Sequence, residues 1–162
     1  MANHDAAIIG WAHSRFGRLD DAPDTEALIG LVARQAIADA GIEPQEVDAV
    51  FLGSYNNGFQ AQDFPASLVF QAVPELRFKP ATRLENACAT GSAAIHGALD
   101  FLGARRGRIT LVVGVEKMTA VSGQRVGEIL LSASYVKGEA GIQAGFAGVF
   151  ARIAESYFQR HG

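Results

Sequence analysis

The chain alternates between short unbroken apolar runs and longer segments with apolar residues at helical spacing, which is the pattern of an α/β protein. The first run, Ala6-Ala7-Ile8-Ile9-Gly10-Trp11-Ala12, predicts a strand. A polar loop with Arg15, Arg18, Asp20 and Asp21 follows, and then Leu28, Leu31, Val32, Ala36 and Ile37 recur at helical spacing. Asp24 is placed to cap that helix, and Thr25-Glu26 open it with an acid in the first turn. Gly41 stands where a left-handed C-cap belongs, Ile42 is its hydrophobic partner, and Pro44 blocks continuation. Val47 to Leu52 predicts the next strand, ending at Gly53, so the opening reads as a parallel, right-handed β–α–β crossover.

From Ser54 to Pro80 the pattern weakens. Ser54-Tyr55-Asn56-Asn57-Gly58 is turn chemistry, and Pro65 to Val73 suits a short helix. Ala81 to Ala87 predicts a third strand, Thr90 to Gly103 a helix, and Ile109 to Val115 a fourth strand. That strand is apolar almost throughout, as a central strand covered on both faces would be. Thr119 to Gly145 has no clear period beyond a short helix at Glu128 to Tyr135 and the glycines Gly138, Gly141 and Gly145, so it reads as a functional loop or small subdomain. Phe146, Val149, Phe150, Ile153, Tyr157 and Phe158 then fall on one face of a closing helix, with Arg152, Glu155, Gln159 and Arg160 opposite. The expected organisation is an αβ core over residues 1–118 and a loop subdomain over residues 119–162.

The helix Thr90 to Gly103 is the most informative. Ala93, Ala94, Ile95, Ala98, Leu99, Phe101 and Leu102 make it apolar on nearly every side, and Ser92, His96 and Asp100, spaced by four, form one narrow polar stripe. Such a helix belongs between layers, so the pattern implies a covering layer from a second domain, a second subunit or further chain.

Composition narrows the function. The 162 residues are 49% hydrophobic and 19% charged, values of a globular chain able to bury one core. A net charge of −3 and no basic cluster longer than Arg105-Arg106 argue against nucleic acid or an anionic membrane as partner. Acidic Asp5 and the lack of a long apolar run argue against a secretory signal or a membrane span, and the single cysteine allows no internal disulfide. The expectation is a cytoplasmic protein.

That cysteine lies in Glu85-Asn86-Ala87-Cys88-Ala89-Thr90-Gly91-Ser92, at a sharp strand-to-helix junction. Amides at the helix start and the helix dipole favour a thiolate there. Small neighbours leave room for a substrate carbonyl, and free backbone N–H groups are placed to hold an oxyanion. On these grounds two readings stand: a nucleophile, or a small buried apolar residue.

The same residues carry a resemblance. Glu85 to Ala94 resembles the nucleophile motif of the thiolase superfamily, and Val113-Gly114-Val115-Glu116-Lys117-Met118-Thr119 resembles the strand and turn that follow it. Gly41-Ile42-Glu43-Pro44 with Asp48-Ala49-Val50 resembles that family's first crossover. Glu116-Lys117-Met118-Thr119 is similar to the sterol-carrier-protein and archaeal-type branch. The resemblance implies the N-terminal half of a five-layered α-β-α-β-α architecture with mixed, mainly parallel sheet and a loop subdomain. It implies acetyl-CoA acetyltransferase or 3-ketoacyl-CoA thiolase chemistry of lipid metabolism, with Cys88 taking up the acyl group as a thioester. Asn86, Ala89 and Gly91 would support the nucleophile turn and its oxyanion site. Coenzyme A enters as the thioester substrate, with no tightly bound cofactor and no metal. A homodimer joined near Ala81–Ala87 is also implied.

Only the first half of the family pattern is present. No Gly-His-Pro and no second Cys-x-Gly occurs, and His4, His13, His96 and His161 match no family motif, so each reads as a surface or satisfied core histidine. The expectation is therefore a chain lacking the second-half acid/base residues and inactive alone, either a fragment or, as the alternative, a split subunit. Two further functions remain open: a related condensing enzyme (ketoacyl synthase III or 3-hydroxy-3-methylglutaryl-CoA synthase), or a non-catalytic thiolase-like scaffold subunit. Lys137-Gly138 in the glycine-rich stretch reads either as a coenzyme A contact or as a flexible loop. Asp20, Asp21 and Asp24 read as loop and cap rather than a carboxylate cluster, and the absence of G-x-G-x-x-G after the first apolar run disfavours a dinucleotide fold.

Overall fold

A computed structural model of the chain describes residues 6–21, 24–55 and 57–162; the readings placed on His4, Asp5 and Asn56 fall outside them. The chain divides into two compact units, one ending at Lys117 and the other running from Met118 to Gly162.

The first unit is built on a three-stranded parallel sheet. Helix α1 (Thr25–Asp39) begins as its capping residue dictates: the Asp24 carboxylate accepts the Ala27 N–H at 2.8 Å. It ends at Gly41, whose φ of +64° is left-handed, with Ile42 N–H returning to Ile37 O. Strand β1 (Ala49–Gly53) is buried along its whole length. Helix α2 (Leu68–Ala72), strand β2 (Ala81–Leu84), helix α3 (Thr90–Gly103) and strand β3 (Thr110–Gly114) follow. The strand order is β2-β1-β3, both pairs parallel, with Phe51 opposite Thr82 and Val112.

Alternation along β1 sends side chains to two cores. Val50 and Leu52 face α1 and α2, where they pack with Ile29, Ala33, Val69, Val73 and Leu76. Ala49 and Phe51 face α3 and meet Ala94, Ala98 and Phe101. Phe51 and Phe101 touch edge to face with ring centroids 5.8 Å apart.

Three expectations are corrected. Residues 6–12 form no strand: they run as an irregular segment along the end of α1, where Trp11 N–H donates to Asp39 Oδ2 at 2.9 Å and Gly10 lies against the backbone of Ala36 and Ala40. Ile8 is 91% exposed, so the apolar run is present without a strand neighbour to pair with. The initial β–α–β crossover is therefore not formed, and the parallel crossovers run through α2 and α3 instead. Strand β3 is an edge strand rather than a central one: Leu111 and Val113 are buried, while Val112, on the α3 side, is exposed. The strand expected over Ala81 to Ala87 stops at Leu84, because the chain turns away before Cys88.

The second unit is helical: α4 (Gly123–Leu131), α5 (Val136–Glu139) and α6 (Gly145–His161). The helix expected at Glu128 to Tyr135 starts and ends earlier because Ser122 caps it, its Oγ accepting the Arg125 N–H at 3.3 Å. Within this unit Phe150, Ile153, Tyr157 and Phe158 of α6 are exposed.

Candidate active site

Cys88 lies between the carboxyl end of β2 and the start of α3, in a single 3-10 turn, Ala87–Ala89. It is exposed and is the sole cysteine of the sequence. The turn is made by local hydrogen bonds: Ala89 N–H donates to Asn86 O at 2.9 Å, and Ala87 N–H to the Glu85 carboxylate at 2.5 Å. Thr90, buried at the first position of α3, accepts the Asn86 N–H on its Oγ1 at 2.8 Å. These bonds close a loop of five residues around the sulfur.

Ala87 has φ +45°. An alanine in the left-handed region costs about 1–2 kcal/mol, and here it reverses the chain between the sheet and α3 directly ahead of the cysteine. Asn86, Ala89 and Gly91 are exposed beside Cys88, and a side chain at Gly91 would meet nothing within 4 Å, so the approach to this turn is open. The turn thus unites four residues of the sequence reading: Cys88, Asn86, Ala89 and Gly91.

Lys137 and Gly138 lie in the second unit, in the short helix α5, not in a flexible glycine loop. Tyr135 N–H donates to the Glu139 carboxylate at 3.0 Å, and a Cβ on Gly138 would come within 2.9 Å of the Tyr135 ring. Gly138 therefore permits local ring packing.

Sequence reasoning passed over the groups that support the turn from below. Gly53, at the end of β1, lies under the first turn of α3; a Cβ there would be 3.1 Å from both Thr90 Cγ2 and Thr90 O. Ser54 N–H donates to Leu84 O at 3.3 Å. The Arg83 guanidinium donates to Ser54 O at 2.9 Å and Tyr55 O at 3.3 Å, and Tyr55 N–H donates to Glu116 Oε2 at 2.7 Å. Burial pushes the Glu116 carboxyl above its ordinary range, against the opposing pull of the Tyr55 amide and the Arg83 charge. A charged residue inside a strand-like run, as Arg83 is, was the available signal. Lys117, also buried, donates to the carbonyls of Arg18 and Leu19.

The depression formed by residues Arg15 to Asp21, about 410 Å³, holds no nucleophile. Arg15 pairs with Asp21 at 2.8 Å and Arg18 with Asp20 at 3.7 Å, so this loop is a solvated set of ion pairs. His13, His96 and His161 are all exposed.

The family model of the thiolase N-terminal domain matches residues 6–150, and the chain belongs to that family. Over 159 residues it is 34% identical to an acetyl-CoA acetyltransferase of Methanocaldococcus jannaschii, covering 98% of this chain and 40% of that protein. An acetyl-CoA acetyltransferase of Methanothermobacter thermautotrophicus is 32% identical, again over 98% of this chain and 40% of its own length. The chain thus spans 40% of the length of these relatives. Among solved structures, an acetyl-CoA acetyltransferase from Syntrophomonas wolfei shares the fold with a TM-score of 0.58 at 22% identity, over 69% of this chain and 29% of that one.

Proposed function

We propose that this chain supplies the nucleophile-bearing half of an acyl-CoA acyltransferase of the acetyl-CoA acetyltransferase type, with Cys88 as the acyl carrier. The observation that carries this reading is the exposed thiol in the left-handed turn at the start of α3, within a family member whose relatives carry that activity in their names. The Cys88 sulfur attacks the thioester carbonyl of acetyl-CoA, forming a new C–S bond. The bond to the coenzyme A sulfur breaks, and the thiol proton leaves with the departing CoA. Capture of the acyl group divides a difficult carbon–carbon step into two easier ones. The Cys88 N–H, which takes no part in the turn's own hydrogen bonds, would face the transient oxyanion within the turn shaped by Asn86, Ala89 and Gly91, and the open space at Gly91 would admit the carbonyl. Lys137 and Gly138 are proposed as a coenzyme A contact. The acid and base for the second acyl-CoA would come from the second half of the architecture, in cis or in trans, and the free edge of β2 would pair in a homodimer of a cytoplasmic enzyme. Among the described residues no helix is long and apolar enough to cross a membrane.

A condensing enzyme is the second reading, favoured by a 24% identical hydroxymethylglutaryl-CoA synthase of M. jannaschii and by the shared fold of a 3-oxoacyl-[acyl-carrier-protein] synthase III from Aquifex aeolicus, TM-score 0.50. Incubation with acetyl-CoA followed by intact-mass measurement tests the reading. An acetyl adduct that is absent in Cys88→Ser supports it. An adduct that survives in Cys88→Ser overturns it.

A further inference from the structure

The residues under the cysteine turn form a pattern that extends beyond packing. Both anchors of the Glu85–Ala89 loop rest on two residues at the carboxyl end of β1, Gly53 and the following Ser54. The loop leaves the sheet at Leu84, whose carbonyl accepts the Ser54 N–H, and it rejoins regular structure at Thr90, which sits on Gly53. Past Gly53 the paired register of β1 ends, and the Ser54 N–H to Leu84 O bond is its last backbone tie to β2. Side chains add to it. Arg83 occupies the carbonyls of Ser54 and Tyr55, and Glu116, two residues beyond the end of β3, takes the Tyr55 amide. Ser54 is buried, and the Arg83 Nε–H is buried without an acceptor, so the guanidinium stays in place with one donor unsatisfied. An unsatisfied buried donor is a cost that packing alone does not call for.

We propose that Arg83 is a positioning residue for the Cys88 nucleophile: its Nη2, donating to both the Ser54 and the Tyr55 carbonyl while Glu116 takes the Tyr55 amide, fixes the platform on which both ends of the cysteine turn stand. Arg83 touches no reacting atom. It acts through Leu84–Ser54 at one end of the loop and Gly53–Thr90 at the other. The inference rests on the proposed role of Cys88, but the platform is measurable on the thiol itself. Because the chain has one cysteine, alkylation reports on that sulfur alone.

The test is the rate of Cys88 alkylation by iodoacetamide across pH, read by intact mass, in the unmodified chain and in variants with circular dichroism as the fold control. Arg83→Met is expected to change the plateau rate by about tenfold or move the midpoint of the pH–rate curve by about half a unit, as the sulfur loses its fixed relation to the amides of α3. Arg83→Lys keeps the charge and a single donor nitrogen with several N–H groups, and is expected to stay closer to the unmodified chain than Arg83→Met does. Glu116→Gln still accepts the Tyr55 N–H and is expected to follow the unmodified curve. Lys79→Met removes a comparable tie, Lys79 to Gln45 O at 3.0 Å, at the far end of the sheet, and is expected to change nothing. A folded Arg83→Met whose curve superimposes on that of the unmodified chain overturns the proposal. Should Arg83→Met fail to fold, the shorter, uncharged Arg83→Ser decides: a displaced curve supports the clamp and an unchanged one overturns it. Failure of the acyl-carrier reading is separately visible, as an unmodified chain that alkylates at Cys88 but takes no acetyl group there.

Discussion

Ala87, in the cysteine turn, and Glu116, in the support beneath it, each hold an unfavourable state. The left-handed φ of Ala87 turns the chain ahead of Cys88, and a β-branched side chain tolerates that backbone least. Ala87→Val is expected to lose about 1–3 kcal/mol in urea denaturation, whereas Ala87→Gly should match or slightly exceed the parent. Glu116 makes a prediction with a sign. Its carboxyl is raised in the folded state, so its contribution is most favourable at low pH and is lost as pH rises through the folded value. Stability measured from about pH 4 to pH 7 should therefore fall less with rising pH in Glu116→Gln than in the parent; an equal slope would contradict the burial argument. Neither state could be read from the sequence, although Glu116 carries part of the family resemblance. An alanine in a row of small residues gives no sign of its φ, and Glu116 reads as a turn residue until the ends of three strands are brought together. The placement of Cys88 at a strand-to-helix junction was legible, because a lone thiol between an apolar strand and an apolar helix has few equivalent placements.

The elements divide in the same way. Helix α3 is where its period puts it, and Asp24, Gly41 and Pro44 bound helix α1 by local chemistry that needs no tertiary context. The strand expected at residues 6–12 and the central position expected of β3 depended on a neighbouring strand, and apolar composition does not disclose whether that neighbour is present. The turn from α3 into β3 offers a sharp test. Asp48 Oδ2 accepts the N–H groups of Arg108 at 2.6 Å and Ile109 at 3.1 Å, and those bonds hold its carboxyl below the usual range. Its contribution is present above about pH 4 and lost as pH falls through the lowered folded value. Asp48→Ala should cost about 1–3 kcal/mol at pH 7 in urea melts, and the gap to the parent should close in acid. Gly107 lies in the same turn, where a Cβ would come within 2.6 Å of both Asp48 Cβ and the Phe101 ring. Gly107→Ala is expected to lower the melting temperature by several degrees, of the order that about 1–3 kcal/mol of overpacking produces.

In the molecule as a whole, α3 covers the sheet with Ala94, Ala98 and Phe101 but leaves Ile95 and Leu99 in solvent, 51% and 37% exposed. The period of this helix called for cover on more than one side, and the described structure supplies it on one. The chain spans 40% of the length of its relatives and carries the exposed Cys88 turn, and the acid and base are proposed to come from a second half. The most direct measurement of the central claim is peptide mapping of the protein, translated from its complete coding frame, after exposure to isotope-labelled acetyl-CoA. The account predicts a thioester label on the peptide containing Cys88, discharged by free coenzyme A and missing from Cys88→Ser. Label on another residue, or undiminished acetyl transfer by Cys88→Ser, would contradict it.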